Sequence, residues 1–218
     1  MNTDRLRVEA GTRVWEIVRP DDLESLWTGM DGSRLADEDF IPYWVEIWPS
    51  SIFLTEWIQE NRARLRGRNC LDLGCGLGLT ALAAAECGAG VTAADNNPSA
   101  LEFARINAGE NRVPEPFWVC MDWRNPGFRQ SSFDFVWAAD IFYEARFFEP
   151  VSRLVDLVLK PGGAAVFADP KREVSKRAWP WLRSAGWNVR SLGGKTVQSG
   201  GQKGEITLRM LRRGHECK

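Results

Sequence analysis

An α/β fold, with a mostly parallel sheet, helices on both faces and an antiparallel last strand, is what this 218-residue chain predicts. Three observations carry that expectation. From about residue 67, short apolar runs alternate with stretches of helical periodicity. A glycine-rich turn follows the first of those runs, where a parallel strand hands over to a helix. Near the end, two strand-like segments are joined by glycine-rich chain at 193–204 with no crossover helix, so they should pair as antiparallel neighbours.

Residues 69–73 read as a first strand carrying Asp72, and 79–87 as an alanine-rich helix stopped by Gly88. Residues 91–94 form a second strand ended by Asp95. Asn97 then caps a helix with Pro98 at its first position, where a missing N–H is harmless. The third and fourth strands fall at 117–121 and 133–139. Val151, Leu154, Val155 and Val158 mark one face of a helix, which Lys160-Pro161-Gly162-Gly163 breaks before a fifth strand at 164–168. A helix over 173–184 precedes a sixth strand at 187–191, and Ile206, Leu208 and Met210 alternate with polar neighbours in a seventh. The sum is a Rossmann-like, seven-stranded, mostly parallel sheet.

The first 50 residues differ. They give a strand at 12–18, a short helix at 22–27, a polar, acidic stretch at 31–39 and an aromatic entry at 41–49. Ser50 or Ser51 is expected to cap a helix with Leu54, Trp57 and Ile58 on one face, stopped at Gly67. The expected organisation is an N-terminal appendage, 1–50, packed on one sheet domain, 51–218.

Composition removes several functions. Apolar residues make up 44% and charged residues 26%, and 28 Lys and Arg against 29 Asp and Glu leave a net charge of −1. Nothing there calls for a nucleic acid partner. The apolar run 73–85 is too short and glycine-rich to cross a bilayer, and the N-terminus opens no signal peptide; a cytoplasmic protein without a membrane partner is expected. His215 is the only histidine, which argues against hydrolysis through an imidazole base and against a metal site. The five cysteines form no C-x-x-C pair; four sit in apolar stretches and read as small hydrophobes, and Cys217 lies in a tail expected to fray.

Chemistry concentrates at Asp72-Leu73-Gly74-Cys75-Gly76-Leu77-Gly78. The spacing is G-x-G-x-G rather than the G-x-G-x-x-G of a dinucleotide fold, and an acid stands two residues before the first glycine. A carboxylate there repels a pyrophosphate but suits a ligand with an ammonium and a sulfonium, which fits S-adenosylmethionine better than NAD. Asp95, 21 residues after Gly74, can take both ribose hydroxyls. Asp122 can accept from the adenine amino group, with Trp123 against the ring. The structural alternative, a tight turn with solvated loop carboxylates, becomes strained when an acid follows each of the first three strands.

With those residues in place, the stretch 48–169 looks like a class I, seven-β-strand S-adenosylmethionine-dependent methyltransferase. Leu159-Lys160-Pro161-Gly162-Gly163 matches that family's turn before strand five. More narrowly it is similar to the seven-strand protein-lysine methyltransferases, or methyltransferase family 16. That likeness rests on Pro42-Tyr43-Trp44, Trp48-Pro49, Asp122-Trp123 and the D-x-x-Y signature Asp140-Ile141-Phe142-Tyr143. Ala139 to Glu144 and Ala168-Asp169-Pro170 resemble the branch that methylates the β subunit of electron transfer flavoprotein, whereas after 175 the glycine-rich hairpin departs from it. The resemblance implies S-adenosylmethionine as cofactor, S-adenosylhomocysteine as product, and a protein partner such as that subunit or a ribosomal protein. It implies a cofactor site of Trp48, Asp72, Gly74, Cys75, Gly76, Gly78, Asp95, Asn96, Asp122, Trp123 and Ala139. Of the aromatic residues, Trp44 or Tyr43 is expected as a lid over the acceptor.

Asp140 and Tyr143 are the expected catalytic pair. Asp140 offers a carboxylate to a cationic amine, and Tyr143 an aromatic wall with a hydroxyl. The bland alternative is that Asp140 caps a turn and Tyr143 packs in the core. A lysine amine, ordinarily of pKa about 10.4, must be neutral to attack. A sulfonium about 4 Å away, at an effective dielectric of about 20, disfavours the ammonium by roughly 4 kcal/mol, about three pKa units. No histidine base is then required, and alignment does the work. The readings left open are a lysine N-methyltransferase, a small-molecule methyltransferase and a non-catalytic cofactor-binding module. The 193–204 stretch is either a flexible connector or a substrate-docking loop.

Overall fold

A computed structural model describes residues 2–21, 42–199 and 201–214. Strands β1 (Thr3–Ala10) and β2 (Arg13–Pro20) form an antiparallel hairpin. A 3-10 turn at Tyr43–Val45 leads into helices α1 (Pro49–Glu60) and α2 (Arg62–Leu65). Then come β3 (Asn69–Leu73), α3 (Leu79–Glu86), β4 (Gly90–Asp95), α4 (Pro98–Asn111), β5 (Phe117–Cys120) and β6 (Phe133–Ala139). The chain continues through α5 (Phe148–Val158), β7 (Leu159–Asp169), α6 (Glu173–Ser184), β8 (Trp187–Ser199) and β9 (Gln202–Arg213).

Seven strands make one sheet in the order β5-β4-β3-β6-β7-β9-β8, with β9 antiparallel to both its neighbours and the other pairs parallel. The predicted α/β class is met. Both sheet faces are apolar, as parallel strands covered by helices require. Leu71, Leu73, Val136, Ala138, Ala165 and Phe167 pack with α5 and α6. Cys70, Trp137, Val166 and Ala168, one residue out of step, pack with α1 and α3 on the opposite face. The order reverses at β3, which β4 flanks on one side and β6 on the other. A crevice opens there at the carboxyl ends of the strands.

Several expectations shift. The helix before β3 starts with Trp48 as its N-cap and Pro49 at its first position, so neither Ser50 nor Ser51 caps it; Ser51 Oγ instead donates to the Trp48 carbonyl at 2.7 Å. It ends at Glu60, short of Gly67. The fifth strand begins at Leu159, because Phe133 already pairs with Leu159 before the register slips. The glycine-rich 193–204 stretch is no loose connector: β8 and β9 pair from Trp187↔Arg213 to Ser199↔Gln202, with one irregularity between Ser191 and Gly193. Cross-strand pairing and the buried side chains of Val197 and Ile206 outweigh the glycines' freedom. The strand β1 had no counterpart in the sequence reading. The expected helix at 22–27, the acidic 31–39 stretch, His215 and Cys217 lie outside the described residues. Among the described residues no helix is long and apolar enough to cross a membrane.

Two asparagines tie the hairpin to the sheet. Asn107 Oδ1 accepts from Val18 N at 2.7 Å, and its Nδ2 donates to the Val18 and Leu77 carbonyls at 3.2 and 3.0 Å. One helical turn on, Asn111 Oδ1 accepts from Glu16 N at 3.0 Å and its Nδ2 donates to Glu16 O at 2.7 Å. Four helical residues rise about 6 Å and two strand residues about 6.6 Å, so the amides stand opposite alternate residues of β2. The helix thereby closes an otherwise open strand edge. Replacing Asn107 by Ala strands one buried N–H and two carbonyls, one of them in the glycine turn. It should destabilise the protein by about 2–4 kcal/mol, read from urea unfolding, with a smaller loss for Asn111→Ala.

Candidate functional site

The glycine turn hangs from the end of the neighbouring strand. Gly74 N and Cys75 N both donate to the Ala94 carbonyl, at 2.8 and 3.1 Å, and Gly76 N donates to Asp95 Oδ2 at 2.9 Å. Asp95 Oδ1 accepts from Asn97 N at 3.0 Å. Burial raises the Asp95 pKa against these backbone donors. Gly76 has φ +50, and a Cβ there would come within 3.3 Å of the Trp44 carbonyl. The 42–48 segment therefore closes over bare backbone, which an L side chain would push away.

A cavity of about 300 Å³ lies over this turn. Of the predicted cofactor residues it is lined by Trp48, Gly74, Cys75, Gly76, Asp95, Asn96, Asp122, Trp123 and Ala139, together with Asp140 and Tyr143. Asp72 and Gly78 are not on the wall. Asp72 is buried behind the turn, where it accepts from the Thr80 hydroxyl at 2.5 Å. Burial pushes its carboxyl up to about 7, against the Thr80 hydrogen bond. Gly78, at φ +89, is a packing position: a Cβ there would meet Ala104 Cβ at 3.0 Å. Burial also raises the Cys75 thiol well above its ordinary value, so it is a neutral wall group rather than a nucleophile.

Five rings run along one side of the cavity. Trp48 and Tyr43 centroids are 6.1 Å apart, Tyr43 and Tyr143 5.4 Å, Tyr143 and Phe147 5.0 Å, Phe147 and Trp123 5.1 Å. Trp48 Nε1 donates to the Tyr43 carbonyl at 2.9 Å, which fixes the end of the row. At the other end Arg124 donates to both oxygens of Asp122, from its own N at 2.8 Å and from Nε at 2.8 Å. Partial burial raises Asp122, but the Arg124 hydrogen bonds win and hold its carboxyl below the ordinary value.

The D-x-x-Y turn divides its residues between wall and core. Phe142 is buried away from the cavity, while Asp140, Tyr143 and the largely buried Ile141 line it. Asp140 has φ +55, a left-handed conformation uncommon for a side chain but more tolerated by Asp, and its N donates to the Ala168 carbonyl at 2.9 Å. Burial raises its pKa, with Arg172 opposing: Nε donates to Oδ1 at 3.1 Å and Nη2 to Oδ2 at 2.8 Å. Sequence reasoning missed Arg172, Phe147, Glu46, Thr80 and Arg124, all on the wall. Phe147 and Arg172 carried no motif signal, and Thr80 alone could have been found as the first-turn partner of a strand-end acid.

The site suits S-adenosylmethionine. The turn is open to close approach, Asp95 at the end of β4 has no cationic partner among the described residues, and the walls offer rings to an adenine. Residues 71–167 match the methyltransferase domain family. The histone-arginine methyltransferase METTL23 of Mus musculus is 25% identical over 157 residues, covering 70% of this chain and 58% of that protein. The electron transfer flavoprotein beta subunit lysine methyltransferase of Mus musculus is 36% identical over 104 residues, covering 47% and 40%. The chain thus spans about half the length of these relatives. Among solved structures, magnesium protoporphyrin IX methyltransferase (ChlM) from Synechocystis PCC 6803 with bound SAM superposes at a TM-score of 0.59, with 16% identity over 88% of this chain and 90% of that one. That likeness shows the fold alone.

Two measurements test the site. Asp95→Ala should weaken S-adenosylmethionine binding by about 1.5–3 kcal/mol in isothermal titration, the range for hydrogen bonds to a charged group. Unchanged affinity would remove Asp95 from the ribose. For Asp72, the folded pKa of about 7 lies above the ordinary carboxylate value, so the folded protein keeps a proton that the unfolded chain loses. Its contribution to stability is full below the unfolded value and is lost as pH rises through about 7. Calorimetry of the ligand-free protein should show the melting temperature falling across that window, and Asp72→Asn should flatten the fall.

Proposed function

We propose that this chain, a member of the class I, seven-β-strand S-adenosylmethionine-dependent methyltransferases, transfers a methyl group to a protein side-chain nitrogen that is cationic in water and loses a proton before it attacks, lysine in the first reading. The observation that carries the proposal is Asp140: a largely buried carboxylate on the cavity wall at the end of β6, beside Tyr143 and one strand away from the glycine turn. S-adenosylmethionine supplies the electrophilic methyl. In this reading the backbone at Gly74 to Gly76 and the Asp95 carboxylate hold the cofactor's polar ends, and Asp122 with Trp123 takes the adenine. Asp140 attracts the acceptor cation and orients its nitrogen. The ring row from Trp48 to Trp123 excludes water, which favours the neutral amine. The proton leaves to solvent, and alignment supplies the rate.

The β8–β9 hairpin supports a protein acceptor. Asp169 at the end of β7 pairs with Thr207, so residues 202–206 of β9 run past the carboxyl end of the sheet. Glu205 there pairs with Lys171, and Lys195 with Glu56 of α1, which pins the projection in place. The proposal names that ledge as the surface where a substrate protein docks, with the electron transfer flavoprotein β subunit and a ribosomal protein as candidates.

A second reading, an arginine acceptor, is favoured by one observation. Asp140 already holds a guanidinium by both its oxygens, and the matching METTL23 is named as an arginine enzyme. Labelled S-adenosylmethionine and a cell extract, followed by mass spectrometry of the labelled species, separates the cases. Methyl-lysine supports the first reading and methyl-arginine the second. Label only in small molecules, or none, overturns the protein acceptor.

Asp140→Asn and Tyr143→Phe keep shape and remove a charge and a hydroxyl. Each should lower turnover at least tenfold, about 1.4 kcal/mol of barrier, with cofactor affinity within a few-fold of wild type. Full activity in both variants sinks the acceptor role of this turn.

A further inference from the structure

Asp140 is not waiting open for a substrate. Its side chain is 8% exposed, and both oxygens are taken by the Arg172 fork at 3.1 and 2.8 Å. Arg172 is 44% exposed, and its guanidinium carbon lies 5.5 Å from the Trp48 ring centroid. A planar cation thus sits between a buried carboxylate and an aromatic face on the cavity wall, which is the environment that a cationic acceptor needs. Arg172 reaches it from the next strand end, as the N-cap residue of α6 with extended backbone. The side chain makes no cap hydrogen bond there, so its head can leave without disturbing the helix start.

We propose that Arg172 is a specificity-determining residue, a tethered guanidinium that occupies the Asp140 subsite and is exchanged for the cationic head of the acceptor. The inference rests on the reading of Asp140 as the acceptor's carboxylate. A neutral acceptor gains nothing from displacing Arg172. A cation must outbid a bidentate ion pair whose donor is held at high local concentration by the chain. A planar fork can replace both hydrogen bonds, whereas an ammonium presents its donors from a single point. Arg172 therefore excludes neutral amines and ranks cations by how well they match two carboxylate oxygens.

The test uses the full chain, Arg172→Met, and two probes, butylguanidinium chloride and butylammonium chloride, in calorimetric titrations that need no turnover. Removing the internal competitor should tighten butylguanidinium binding about tenfold, the scale of one hydrogen bond to an ion. Butylammonium should gain less, and the double variant Asp140→Asn/Arg172→Met should lose the gain for both. S-adenosylmethionine affinity should stay within a few-fold of wild type. Equal probe binding in wild type and Arg172→Met, or weaker binding in the variant, overturns the exchange and makes Arg172 a structural partner of the turn. If the methionine variant does not fold, Arg172→Gln is judged by the same criterion. An enzyme that methylates protein while its probe affinity is unmoved loses the exchange and keeps the transfer reading. Tightened probe binding without methyl transfer to any acceptor does the reverse.

Discussion

The turn at residues 74–76 is suspended from the end of β4, and the rest of the site depends on that suspension. Parallel pairing brings Leu73 beside Ala94, so the Ala94 carbonyl can receive two successive N–H groups and Asp95 a third. Those bonds turn the chain sharply enough to start α3 at Leu79, and only backbone of positive φ follows the path at Gly74, Gly76 and Gly78. The cavity is therefore floored by main chain. Asp95 has a double task, bracing the turn and standing at the wall. Its burial in that position has an electrostatic penalty that the backbone donors only partly offset.

The carboxylates around the cavity differ in a way that composition does not show. Asp122 is held ionised by Arg124, and Asp95 has only backbone N–H groups for partners. Asp140 has a guanidinium and still sits above its ordinary pKa, because burial exceeds what the pair returns. Asp72, behind the wall, has neutral partners, the Thr80 hydroxyl first among them. The gradient runs from a screened ion pair at Asp122 to a desolvated acid near the turn. A ligand carrying two cationic centres, an ammonium and a sulfonium, compensates that desolvation better than a neutral nucleoside could.

The ring row is the second organising element. Trp48, Tyr43, Tyr143, Phe147 and Trp123 come from the entry segment, the D-x-x-Y turn, the 3-10 turn after it and the chain beyond β5. They connect the D-x-x-Y turn to the Asp122–Trp123 segment through ring contacts. The Asn107 and Asn111 amides anchor the N-terminal hairpin on the reverse of α4, and Asn107 also holds Leu77 in the glycine turn. A change at the hairpin thus has a direct route to the floor of the cavity.

What the sequence determined by itself was local. The order of strands and helices after residue 67, the glycine turn, the Asn97 cap and the acids at the strand ends all follow from periodicity and from residues a few positions apart. The Asp140 and Tyr143 positions were legible through a four-residue signature. Strand β1 escapes a sequence reading because its burial depends on β2 and α1 rather than on its own pattern, and the freedom of the 193–204 glycines is overridden by pairing along β8 and β9. Contacts across the fold turn Asp72 behind the wall, pack Gly78 on Ala104 and bring Arg172 to Asp140 across 32 residues. These are contacts between elements distant in sequence, set by how the strands are ordered and how the helices cover them, and no local propensity carries that information.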